Sequence, residues 1–163
     1  MKKVIFFLLI SLFLSSNALS NQISIVDITF LLKNSNKGKT IQKELDNLNS
    51  KNSKLFNEKK KKLEVKEKKI ASKKNILSKE DFNKEVLNFR KEVANYENER
   101  RKSAQKISNI RVNKIAKLIA EINKILVDYS SKNSISTIID KKNVIITKQE
   151  NEITKEILKI LNN

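Results

Sequence analysis

The stretch FNKEVLNFRKEVANY, residues 82–96, decides the fold. Phe82, Val86, Phe89, Val93 and Tyr96 fall at intervals of 4, 3, 4 and 3, with mostly polar and charged residues between them. On a helix of about 3.6 residues per turn this spacing draws one narrow apolar line, the seam of a coiled coil. A seam of that kind is buried only against a second helix. Upstream, a similar line runs through Ile41, Leu45, Leu48, Leu55 and Phe56, Leu63, Ile70 and Leu77, returning about every seven residues. Downstream, the second line continues through Ile107, Ile110, Leu118, Ile122, Ile125 and Tyr129.

Between the two lines lies KKNILSKED, residues 73–81, where Ser78 followed by Asp81 can cap a new helix by accepting its free backbone N–H groups. The seam is displaced at the same place. These signs predict two antiparallel helices with a tip near residues 74–78, in preference to one continuous helix in a long dimeric rod. The arm is assigned to residues 40–124. Its expected seam is Leu48, Leu55, Leu63 and Ile70 against Phe82, Val86, Phe89, Val93 and Tyr96. With no Pro and one Gly, Gly38, the chain has almost nothing to interrupt a helix. Gly38 is expected at a bend before the first long helix, which should start at about Thr40.

The ends of the chain read differently. KIAKLIAEINKILVDY, residues 114–129, is apolar on a broad face, as a helix packed on a globular head should be. QISIVDI (22–28), STIID (136–140) and the run Val144–Thr147 are β-rich, and Lys141, Lys142 and Asn143 suggest a tight turn joining the last two as a hairpin. NEITKEILKILNN (151–163) closes as a short amphipathic helix. The expected fold is therefore mainly α with a small β component: a long helical-hairpin arm inserted in a small α/β head. The head draws on residues 21–39 and 125–163. So small a unit, in a chain without Cys, needs another source of stability, and oligomerisation is the remaining one. Ile138-Ile139 and Val144-Ile145-Ile146 are apolar on successive positions, which suits burial on both faces.

The chain opens MKKVIFFLLISLFLSSNALSNQ, the layout of a secretory signal peptide over residues 1–20, with cleavage expected after Ser20. Its apolar run is shorter than the roughly 20 residues a membrane span needs. Loss of Lys2 and Lys3 changes 35 basic against 18 acidic residues to 33 against 18, a net charge of +15. Export also separates the chain from cytosolic nucleic acid, so nucleic acid is not the expected physiological partner despite the positive charge.

Reaction chemistry has little support. The chain has no His and no Cys, which removes imidazole bases, thiolate nucleophiles and the usual zinc ligands, and neither a metal nor a cofactor is expected. NKGKT (36–40) looks like the end of a phosphate-binding loop, but the first glycine of that pattern falls at Lys33. An enzyme is not expected.

ISIVD, then a long basic helical hairpin, TIID, NVIIT and the ending EITKEILKIL together resemble the Skp/OmpH family of periplasmic chaperones, over nearly all of the chain after the leader. The resemblance implies a homotrimer whose head strands share a β-barrel. Three arms would project around a cavity that holds unfolded outer-membrane proteins without ATP. By position, Ile23, Ile25, Val26, Ile138, Ile139, Val144 and Ile146 would belong to the trimeric head. Two other readings remain at this point, an exported structural coiled-coil rod and a basic nucleic-acid-binding protein.

Lysine is concentrated on the first arm helix. From Lys51 to Lys79 there are twelve lysines against Glu58, Glu64 and Glu67. Lys59, Lys60, Lys61, Lys62, Lys66, Lys68 and Lys69 are the expected electrostatic contacts, either to acidic unfolded clients or to an anionic lipid surface.

Overall fold

The structure, a computed structural model, describes residues 22–163. The leader and its cleavage site lie outside the described residues. Strand β1 (Gln22–Val26) leads through the N-cap Asp27 into a short helix α1 (Ile28–Asn34). The long helices α2 (Asn36–Ser72) and α3 (Lys79–Lys132) follow, then strand β2 (Ile135–Asp140), two 3-10 turns at Lys141–Asn143 and Gln149–Asn151, and helix α4 (Thr154–Asn162). The protein is mostly helical, with one small two-stranded sheet.

Each long helix begins where a side chain satisfies its first N–H groups. Ser35 Oγ accepts from Gly38 N at 3.1 Å to start α2, and Ser78 Oγ accepts from Asp81 N at 3.1 Å to start α3. The Ser78 cap is the one the sequence pattern predicts. Asp81 reinforces it by accepting from the Ser78 hydroxyl at 2.7 Å. Gly38 behaves otherwise than expected, because it lies inside the first turn of α2, which begins at Asn36. The bend is at Ser35, and the glycine is needed because a Cβ there would sit 1.8 Å from the Leu32 carbonyl oxygen. The other terminus of α3 closes with Asn133, whose backbone and side-chain N–H groups both donate to Tyr129 O. Ser134 follows in the left-handed region at φ 55°.

The sheet is parallel. β1 pairs with β2 in the register Ile23 with Thr137, Ser24 with Ile138, Ile25 with Ile139 and Val26 with Asp140, so the whole arm is the connection between neighbouring strands. On its other side β1 makes a single bridge, Ile153 N donating to Ile25 O at 2.9 Å. The expected β-hairpin between 136–140 and 144–147 does not form in this chain. Asp140 instead caps a 3-10 turn by accepting from Lys142 N, which carries the chain away from β2, and Val144–Thr147 join no ladder.

The head core is built from all of these pieces. Val26, Leu31, Leu118, Ile122, Ile153, Ile157 and Leu161 form one buried cluster, with Ile41, Ile125, Tyr129, Ile138 and Leu158 packed around it. The broad apolar face of α3 at 114–129 thus meets α1 and α4, while the rest of α3 leaves the head with only α2 for company.

Candidate functional site: the two faces of the arm

Along the arm the helices are joined by the expected seam, with one substitution of roles. Phe56 is 6% exposed and Leu55 is 48% exposed, so Phe56 occupies the seam and Leu55 faces solvent. The Phe56 and Tyr96 rings meet edge to face with centroids 5.8 Å apart. Ile70 is buried, and Leu48, Leu63, Phe82, Val86, Phe89, Val93 and Tyr96 are half-buried. A two-helix seam with no third layer cannot cover them further.

One flank of the seam is closed by ion pairs that cross from helix to helix: Lys37 with Glu121, Glu44 with Lys114, Lys59 with Glu99, Lys66 with Glu92 and Lys73 with Glu85. Every step along α2 is matched by an equal step back along α3, which places the five rungs on a single flank of the hairpin. Lys59 also stands 5.5 Å from the Phe56 ring centroid, and its ammonium, by hydrogen bond and by charge, holds the Glu99 carboxyl below its ordinary pKa. Where the ladder skips a rung, between Glu44–Lys114 and Lys59–Glu99, the seam turns polar and Ser103 Oγ donates to Asn52 Oδ1.

The opposite flank is open. A groove of about 1020 Å³ runs there between α2 and α3, with Phe56, Leu63, Phe89, Val93 and Tyr96 at its base. The ladder flank carries smaller depressions, about 400 Å³ among the rungs Lys37, Glu44, Lys114 and Glu121 and about 290 Å³ beside Lys59 and Glu99, the latter also bordering Leu63 and Tyr96.

The lysines divide accordingly. Lys59 and Lys66 are committed to rungs, Lys60 lies 3.7 Å from Glu64 on its own helix, and Lys61, Lys62, Lys68 and Lys69 have no ion pair among the described residues. Two of the seven expected electrostatic contacts are therefore structural links. Glu85, Glu92 and Glu99 are the partners that the sequence reading passed over. Their signal was present, since Lys59, Lys66 and Lys73 recur every seven residues, as do the three glutamates.

In the head, Ile25 and Val26 are buried within the chain itself and Ile23 is 47% exposed. Ile138, Ile139 and Val144 are half-buried, and Ile146 is 89% exposed. No helix among the described residues is long and apolar enough to cross a membrane, and no group of acidic side chains among them could hold a metal ion.

Fold and site together define one architecture: a long two-helix arm, grooved on one flank, inserted in a small head with one side of its sheet unpaired. The chain belongs to the OmpH-like family, since the family described as outer membrane protein (OmpH-like) matches residues 22–161. In three dimensions it is similar to a Caulobacter crescentus CB15 protein assigned as an OmpH-like outer membrane chaperone, with a TM-score of 0.80 at 12% identity. That likeness covers 86% of this chain and 83% of the other, and at such low identity it speaks for the fold. No curated protein matches the chain.

Proposed function

We propose that this protein is an ATP-independent holdase chaperone of the periplasm, which binds unfolded outer-membrane proteins in a cavity between the arms of a homotrimer and keeps them from aggregating before insertion. Family membership supports the chaperone role. The observation that carries the assembly is the incomplete head. Ile145 and Ile146 are 104% and 89% exposed on a segment that joins no ladder, and the outer edge of β2 has no partner strand among the described residues. A two-stranded sheet is marginal alone, and an open edge together with exposed apolar side chains invites strands from other copies. Arms held by a seam one residue wide bury little, so they can adapt to a client without an energy source.

The test is to refold a urea-unfolded outer-membrane β-barrel protein by dilution, with and without the purified protein lacking residues 1–20, in the absence of ATP. We expect suppressed light scattering and a solution mass of three chains. A monomer, or a long dimer without suppression, would favour the structural rod and remove this reading.

A further inference from the structure

The open flank of the arm differs from its surroundings in charge as well as shape. In a chain of net charge +17, the charged residues lining the groove balance: Lys60, Arg90 and Arg100 against Glu64, Glu67 and Glu97. Four of the six are also neutralised on their own helices, Lys60 by Glu64 at 3.7 Å and Arg100 by Glu97 at 3.6 Å. Three amides, Asn49, Asn52 and Asn57, stand along the α2 side. An amide carries both donors and acceptors, the same complement as a peptide backbone. None of the unpaired lysines Lys61, Lys62, Lys68 and Lys69 lines the groove, and Lys62 borders the ladder flank instead.

From this we infer that the grooved flank, not the ladder flank, is the face that takes the client, and that its occupant is an extended stretch of unfolded polypeptide. This rests on the holdase reading and adds to it which face binds and what is recognised. The neutral lining disfavours a lipid headgroup or a polyanion. At the apolar base the half-buried Phe89, Val93 and Tyr96 offer surface to aromatic and aliphatic side chains, while the amide row serves the backbone whatever its sequence. From Asn49 to Glu67 the groove runs roughly 27 Å at 1.5 Å per helical residue, room for about eight residues of extended chain at 3.3 Å each. The ladder on the other flank lets the groove stay open, because it joins the helices without filling the space between them.

The chain has no Cys, so single cysteines report position cleanly. Asn57→Cys and Arg90→Cys sit on the groove, and Lys62→Cys and Asn95→Cys on the ladder flank; all four positions are exposed. Each full-length mature variant, carrying a photoactivated crosslinker, is mixed with a urea-diluted outer-membrane β-barrel polypeptide or with phosphatidylglycerol vesicles. We expect several-fold higher polypeptide crosslinking from the two groove positions, and no such preference with vesicles. Equal yields from both faces, a preference for the ladder flank, or vesicle crosslinking from the groove would overturn the assignment. Scattering assays on the same samples separate the two ideas. Suppression with equal yields sinks the face assignment alone, and groove-selective capture without suppression sinks the holdase reading alone. No capture at any position sinks both.

Discussion

Gly38 occupies the elbow where α1 turns into α2, and it is there because nothing larger fits. A methyl group would overlap the Leu32 carbonyl, part of a rigid backbone turn closed by Ser35. Gly38→Ala should therefore cost about 3 kcal/mol, the upper end of overpacking, although alanine is the better helix former; urea unfolding measures it. The reverse case is Ser134, at φ 55° just beyond the end of α3, a backbone region in which residues other than glycine are strained. Ser134→Gly should raise stability by about 1 kcal/mol. Glu99 gives a pH dependence whose sign follows from its lowered pKa. Its contact with Lys59 contributes fully above the unfolded carboxyl value of about 4.3 and fades as pH falls through the lower folded value. Arm unfolding followed by circular dichroism should weaken on that acid side, and Glu99→Gln should flatten the change.

At the scale of the elements, the arm is a balance between a thin seam and a row of exposed bridges. An exposed bridge such as Lys66–Glu92 contributes little, about 0.2–1 kcal/mol, and salt screens it. A double-mutant cycle on Lys66 and Glu92 should return a coupling in that range which shrinks as salt is added. The polar pair Asn52–Ser103 weakens the seam at the missing rung, so replacing both with Leu should slow amide exchange in the arm, where residues 60–95 should otherwise exchange faster than residues 115–132, the head-proximal part of α3. The seam was legible in the sequence because period and residue type agree from Phe82 to Tyr96, and the Ser78 cap because it is purely local. Leu55 and Phe56 could not be ranked, since neighbours on a helix are about 100° apart and a seven-residue line tolerates either. The strand pairing misled for a different reason. Val144–Thr147 has strand composition, but the pairing of β2 with β1, across the whole of residues 27–134, is a long-range event that no local signal records.

For the whole molecule, the question is what completes the head. Ile139 is a poor probe, because it is half-buried and paired with Ile25, so Ile139→Asp would disturb the single chain as well as any assembly. Ile145 and Ile146 are better, being exposed almost completely within one chain. Changing either to Asp should leave the fold of the monomer intact, since there is no intrachain packing to lose. If they are buried between copies, each loses about 1.5–3 kcal/mol of apolar burial per chain, and a charge enters a dry contact with no partner. In a trimer that loss is repeated three times, so the double variant Ile145→Asp, Ile146→Asp should sediment as a monomer with an unchanged helical circular-dichroism spectrum. Client suppression should fall with it, because single arms enclose nothing. A double variant that remains trimeric would show that the copies meet elsewhere, and the open edge of β2 would then need another explanation than assembly.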